Sequence, residues 1–325
     1  MKLKKIKRMV AVGTAILMTL SLAGCGIGSD SVKLGAAGVG GGYYAFSNAF
    51  AQIASSENED LDFEVKATAG STANIRLLSD GYVDMAIAQA DLVDAAYNGT
   101  GATDKKRYRG YSAVASLYTE ACQIVVRSDS GIDSLDDLQG KKISVGEEES
   151  GTQRNAEQIL KMTGLVESLV DTVNLDYVDA ANELKSGQID AFFCTAGIQT
   201  SVIEELSKEC DVKLIGIDDK CRDRLKSVYG FYTDYTIPAG TYEGQTQDVV
   251  TLGVRAVLLA RDDMDEKIVE ELTGLLFEHA QDIQYSIALT FQIDESEAVK
   301  NVTIPFHDGA KAYYRKKGIE IPAEQ

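Results

Sequence analysis

Residues 63–91 read FEVKATAGSTANIRLLSDGYVDMAIAQAD, and this stretch decides the fold class. Phe63, Val65 and Ala67 alternate with polar residues, the two-residue period of a strand. Residues 71–79 carry Ile75, Leu77 and Leu78 at helical spacing and are stopped by Gly81. Residues 83–88 form an apolar run, as expected of a buried strand, and residues 91–97 are helical again, ending near Gly99. An alternation of strand and helix predicts a mostly parallel sheet with helices on both faces.

The alternation extends in both directions. Residues 32–36 read as a strand, followed by a glycine loop and a helix over residues 43–56, and residues 111–117 read as a fourth strand. The pattern then restarts. Residues 123–127 are a strand, 135–142 a short helix and turn, and 143–146 a strand running into Ser150-Gly151-Thr152. A helix over 153–162 ends at Gly164, and strands over 173–178, 189–193 and 212–217 are separated by helices. Residues 235–240 are extended, 249–259 form a long apolar strand, 265–285 one long amphipathic helix and 307–317 a last one. The expectation is an α/β protein of two lobes. Lobe 1 comprises residues 32–120 with 252–325, and lobe 2 residues 121–251; the chain crosses twice, near residues 118–123 and 249–253.

The first residues read as an address. Lys2, Lys4, Lys5, Lys7 and Arg8 precede an apolar stretch over residues 9–23, too short for a membrane span of about 20 residues. Leu22-Ala23-Gly24-Cys25 then resembles a bacterial lipobox, which implies a signal over residues 1–24, cleavage before Cys25, lipid on its thiol and a tether over residues 25–31. The other readings of the same stretch are an ordinary secretory signal or an uncleaved anchor. The mature chain would have 301 residues, enough for two cores. Net charge is −18, and about −23 once the five leading cations are gone, which opposes nucleic-acid binding. A small anion is not opposed, because remote charge is screened over roughly 8 Å. Cys122, Cys194, Cys210 and Cys221 match no zinc spacing, so no metal is expected; they form one or two disulfides or stay as buried thiols.

Open α/β sheets take ligands at the carboxyl ends of their strands, and four loops lie there. Gly38-Val39-Gly40-Gly41-Gly42-Tyr43-Tyr44 opens a helix, and glycines let backbone amides approach an anion; Gly41, Gly42 and Tyr43 are the candidates, against a plain glycine turn. In Gly70-Ser71-Thr72-Ala73-Asn74, Ser71 and Asn74 are candidates, although Ser71 also suits a helix cap. Arg76 on that helix fits a surface ion pair better than a ligand clamp. Gln89 and Asp91 stand at a strand end as donor and acceptor. Ser150, Gly151 and Thr152 make an anion nest in the second lobe, provided that Glu147, Glu148 and Glu149 point away, and Thr195 and Gly197 follow the next buried strand.

The order of these motifs resembles the TAXI family, the solute receptors of tripartite ATP-independent periplasmic (TRAP) transporters. The likeness runs over nearly all of the mature chain. Its carriers are Gly40-Gly41-Gly42-Tyr43-Tyr44, Gly70 to Leu78 with Gly81 and Val83-Asp84-Met85-Ala86-Ile87, then Gln89 and Asp91. They continue in Leu135-Asp136-Asp137-Leu138-Gln139-Gly140-Lys141 leading to Ser150-Gly151-Thr152, in Ile237-Pro238-Ala239-Gly240-Thr241-Tyr242, and in His307-Asp308-Gly309-Ala310. Asp308 stands where the family usually has proline, and Ile198-Gln199 where a proline-containing turn is usual; the second departure bears on ligand identity. The resemblance implies a two-lobed type II periplasmic-binding fold that closes on its ligand about a hinge near residues 118–123 and 249–253. Tyr118 then sits near the cleft base, as does Glu120 unless it is a surface acid. It implies glutamate, 2-oxoglutarate or a related carboxylate as ligand, no cofactor, and handover to integral membrane TRAP permease subunits that draw on an ion gradient. The protein is then a monomer held on the outer face of the cell membrane or in the periplasm.

Rival functions leave fewer traces. His279 and His307 are the only histidines and lie outside the candidate loops, and neither Gly-x-Ser-x-Gly nor His-Glu-x-x-His occurs, so no catalytic residue is assigned. An ABC-importer lipoprotein and a ligand-sensing surface receptor keep the same fold with a different partner.

Overall fold

The computed structural model describes residues 31–101, 105–166, 168–287 and 293–322. The signal reading and Cys25 lie outside them. The chain begins with β1 (Val32–Gly35), α1 (Gly42–Glu57), β2 (Phe63–Lys66), α2 (Ser71–Ser79), β3 (Met85–Gln89), α3 (Ala90–Asn98) and β4 (Tyr111–Arg127). A 3-10 turn (Leu135–Leu138) leads to β5 (Lys142–Ser144), α4 (Gly151–Thr163), β6 (Asp171–Val173), α5 (Tyr177–Ser186), β7 (Ala191–Ala196), α6 (Ser201–Glu209), β8 (Val212–Leu214), α7 (Asp219–Val228) and β9 (Thr233–Ile237). The chain returns through β10 (Val249–Arg261) to α8 (Glu266–Glu278), α9 (Ala280–Ser286) and α10 (Asp308–Lys317). Among the described residues no helix is long and apolar enough to cross a membrane.

All ten strands join one sheet in the order β2-β1-β3-β10-β4-β7-β5-β6, with β8 on β4 and β9 on β10. The flanks are parallel, where helical crossovers connect the strands. The centre is antiparallel, because β4 carries the chain out and β10 carries it back.

One strand replaces the two expected over residues 111–127. Nothing in Tyr111–Arg127 is Gly or Pro, every residue is at least half-buried, and so no local signal breaks the strand. Its partners change instead: β10 pairs along Tyr111 to Ala121, then β7 and β8 take over to Arg127. The main apolar core runs from Leu34 to Tyr118 and resumes at Ala256, while the cores of the other lobe draw on residues from Ala121 to Val254. The core boundary therefore crosses β4 between Tyr118 and Ala121 and β10 between Val254 and Ala256. The second crossing falls later than residues 249–253 because β9 pairs with that segment and holds it in the second lobe.

Two further elements differ from the sequence pattern. Val178 lies in α5, not in a strand, because Asp176 accepts from Asp179 N at 2.8 Å and starts the helix there. The long helix over residues 265–285 is two helices that meet at His279, whose backbone (φ −108°, ψ 19°) leaves the helical region. The bend keeps Ile283 fully buried in the first core. Cys122, Cys194, Cys210 and Cys221 are all free thiols.

Candidate functional site

A cavity lies where the carboxyl ends of β1 and β3 meet those of β5 and β7. Gly41, Gly42, Tyr43, Ser71, Gln89, Ser150, Gly151, Thr152 and Thr195 line it, as the sequence predicted. So do Glu120, Glu147, Asp176 and Tyr177. It encloses about 30 Å³, room for about two waters. An organic ligand enters only if the lobes part, so the contacts across the cavity are those of a closed cleft.

Two helix N-termini face each other here. The first-turn amides of α1 and α4 have no partner inside their own helices, and α1 has no side-chain cap. Ser150 caps α4 by accepting from Gln153 N at 2.9 Å. Thr152 belongs to a network within its own lobe. Its Oγ1 accepts from Thr195 N at 3.1 Å, while Tyr177 Oη donates to Thr195 O at 3.1 Å. The 2.6 Å bond between Thr152 and Tyr177 therefore carries the threonine proton.

Gln89 links the lobes. Tyr232 donates its proton to Gln158 Oε1 at 2.5 Å, so its oxygen accepts from Asn155 Nδ2 at 2.7 Å. That leaves Asn155 Oδ1 to accept from Gln89 Nε2 at 3.0 Å. Gln89 Oε1 is left buried with no donor, a position a ligand N–H satisfies. Asn155 was not singled out from the sequence; it lies one helical turn after Gly151, on a face that sequence alone does not orient.

The lining is acidic. Glu120 is 2% exposed and accepts from Tyr43 Oη at 2.6 Å; burial pushes its carboxyl up to about 8. Of its two readings from sequence, the structure places it at the cleft base. Glu147 lines the cavity too, so the condition set for an anion nest at Ser150-Gly151-Thr152 is not met by this acid, and burial followed by the nearby Asp176 raises its pKa. Two residues on, Glu149 has a φ of 63° and reverses the chain. Its carbonyl accepts from Thr72 N and Ala73 N at 3.0 and 3.2 Å, and its carboxylate pairs with both Arg76 Nε and Nη2. Arg76 is thus a cross-lobe ion pair and not a ligand clamp. About two-fifths of each side chain is exposed, so the pair contributes at most about 1 kcal/mol.

Four candidates lie elsewhere. Asn74 turns away from the cavity: its amide donates to Ala36 O and to Ile87 O at 2.8 Å and accepts from Thr68 Oγ1 at 2.7 Å, tying the ends of β1 and β3 together. Asp91, in the first turn of α3, is half-buried outside the cavity lining, and desolvation raises its carboxyl to about 6. Tyr118 packs against Phe46 in the first core. Gly197 lies past the lining, its carbonyl accepting from Thr200 Oγ1. Ser71 does not cap α2; its Oγ accepts from Gln89 N at 3.1 Å. Neither histidine lines the cavity. Among the described residues no cluster of three or more His, Cys, Asp or Glu is placed to hold a metal.

This arrangement matches known proteins. A protein of Bordetella bronchiseptica RB50 is 16% identical with a TM-score of 0.58, over 89% of this chain and 98% of that one. Malate-bound MatC from Rhodopseudomonas palustris is 14% identical with a TM-score of 0.57, over 82% and 91%. The alkanesulfonate-binding protein SsuA from Xanthomonas axonopodis pv. citri, bound to MOPS, is 14% identical with a TM-score of 0.48, over 79% and 77%. The likeness to the first two is one of fold: a mixed α/β sheet flanked by helices. The model of the NMT1-like family matches residues 34–318, and the chain belongs to that family.

Proposed function

We propose that this protein is an extracytoplasmic solute-binding receptor that closes on a small amino acid of the glutamate kind. One observation carries the reading: the interlobe cavity sets two helix N-termini beside Glu120, Glu147 and Asp176, with no Lys, Arg or His in its lining. Helix amides suit a carboxylate, and the carboxyl side chains with the unpaired Gln89 Oε1 suit an ammonium. Both needs are met by a zwitterion, which puts glutamate ahead of 2-oxoglutarate.

Titration calorimetry and thermal shift with amino acids, dicarboxylates and sugars test this. Glutamate or a close relative should bind, adding about 2.7 kcal/mol of stability at a hundredfold excess over Kd, while 2-oxoglutarate binds at least tenfold more weakly. Equal binding of the two removes the ammonium from the reading, and binding of sugars alone removes the carboxylate.

Delivery to an ion-gradient-driven TRAP permease, from a lipid anchor on Cys25, follows from the motif resemblance. Uptake of labelled ligand by cells should then cease when the gradient is dissipated and fall with Cys25→Ser. Uptake that needs ATP alone reassigns the partner to an ABC importer.

A further inference from the structure

We infer that Glu149 is a positioning residue for capture: it holds the closed lobes together from outside the cavity and so sets how fast a bound solute escapes. It rests on the amino-acid reading above only in that the lobes close on a solute.

Contacts of two kinds converge on this residue. Its carbonyl accepts from Thr72 N and Ala73 N at 3.0 and 3.2 Å. These are first-turn amides of α2 in the opposite lobe, and α2 has no side-chain cap of its own. The second lobe therefore supplies a cap that the first lobe lacks. One turn further along the same helix, Arg76 Nε and Nη2 donate to the two carboxylate oxygens at 3.0 and 2.6 Å, a bidentate pair. Glu149 itself does not line the cavity.

The backbone shows what the side chain is for. At a φ of 63°, Glu149 occupies a region that glycine enters freely and other residues seldom do. The turn is braced inside its own lobe, with Gln153 Oε1 accepting from Glu149 N at 3.1 Å and Ser150 N donating to Glu147 O at 3.2 Å. Glycine would present the same carbonyl to α2 with less strain. Only a long acid at this position also reaches Arg76.

Parting the lobes must break both contacts, and a solute leaves a cavity of about 30 Å³ only when they part. The carbonyl cap is neutral. The ion pair is charged and about two-fifths exposed on each side, so salt screens it and leaves the cap untouched. At low salt the pair should slow escape by about fivefold at most, and by less as salt rises.

Stopped-flow release of bound glutamate, at low and high salt, tests this in the parent, Arg76→Ala, Glu149→Gly and the double variant. Release from the parent should quicken with salt. Each single variant should release about two- to fivefold faster at low salt and lose the salt dependence. The double variant should be no faster than the faster single, because one pair accounts for both effects. Exchanging the partners, Arg76→Glu with Glu149→Arg, should restore slow, salt-sensitive release, which a merely structural role would not produce. Release indifferent to both single variants, or effects that add in the double variant, overturns the assignment and leaves the amino-acid reading standing. A parent that binds another solute of the panel but not glutamate fails that reading alone, and release of that solute then decides the role of Glu149 by the same criteria. A parent that binds none of them overturns both.

Discussion

Gly151→Val should abolish ligand capture while leaving the protein folded. Gly151 opens α4 against the side chain of Gln89, which belongs to the other lobe. A Cβ there would lie 2.5 Å from Gln89 Cδ and Nε2 and 2.8 Å from Oε1. The glutamine cannot step aside freely. It is 2% exposed, its Nε2 is held by Asn155 and its backbone N–H by Ser71. Overpacking of this kind costs about 1–3 kcal/mol for one methyl, so Gly151→Ala should weaken binding roughly 5- to 150-fold. The two further methyls of valine bring binding below detection. The clash exists only with the lobes together, so the open protein bears none of it and the melting temperature should move by no more than about 3 °C. Titration calorimetry reads the affinity, and small-angle scattering with and without ligand reads the missing closure. A valine variant that binds and closes like the parent would mean that the ligand-bound arrangement is not the one seen here.

Gly309→Ala should produce the largest loss of stability. Gly309 starts α10, whose cap is the ring of His307, with Nδ1 accepting from Gly309 N at 3.1 Å. Alanine in a helix is ordinarily better than glycine by about 1 kcal/mol. Here that gain is overruled, because a Cβ would meet the Glu266 carbonyl well inside contact distance, Glu270 N at 2.8 Å and Val269 Cβ at 2.9 Å. Backbone of α8 cannot rotate away as a side chain can, so the two helices must separate. Tyr313, which stacks on Phe277, and Tyr314, which meets Phe306 edge-on, lose packing with them. The net cost should be about 3 kcal/mol, a fall in melting temperature of about 6–10 °C, with ligand affinity unchanged because the cavity is remote. Chemical denaturation checks the first and calorimetric titration the second. A variant as stable as the parent would mean that the α8–α10 contact is looser than described.

Some of this molecule is written in short stretches of chain. The helix Ser71–Ser79 was readable to its ends, because glycine on one side and Asp80-Gly81 on the other act on their immediate neighbours. The same kind of local signal accounts for nine of the thirteen candidate residues lying together in the lining of one cavity. A glycine or a hydroxyl between a strand and a helix lands at a strand's carboxyl end whatever the rest of the fold does.

Direction and partnership are another matter. The same motif that sends Ser71 to the cavity sends Asn74 away from it, to the ends of β1 and β3, because helical geometry turns each residue by about 100° and only the packed neighbours say which face is inside. The continuity of β4 depends on β10, β7 and β8, which lie far along the chain. The left-handed turn at Glu149 meets amides of the opposite lobe, Thr72 N and Ala73 N, which lie far back along the chain. The burial that raises the Glu120 carboxyl belongs to the assembled cleft and not to its place in the sequence. Periodicity and turn chemistry, which act over a few residues, therefore set the elements, their order and the loops at the cleft. Which side chains meet there was decided only by contacts between distant segments, since burial and hydrogen-bond partnership are properties of the assembled fold.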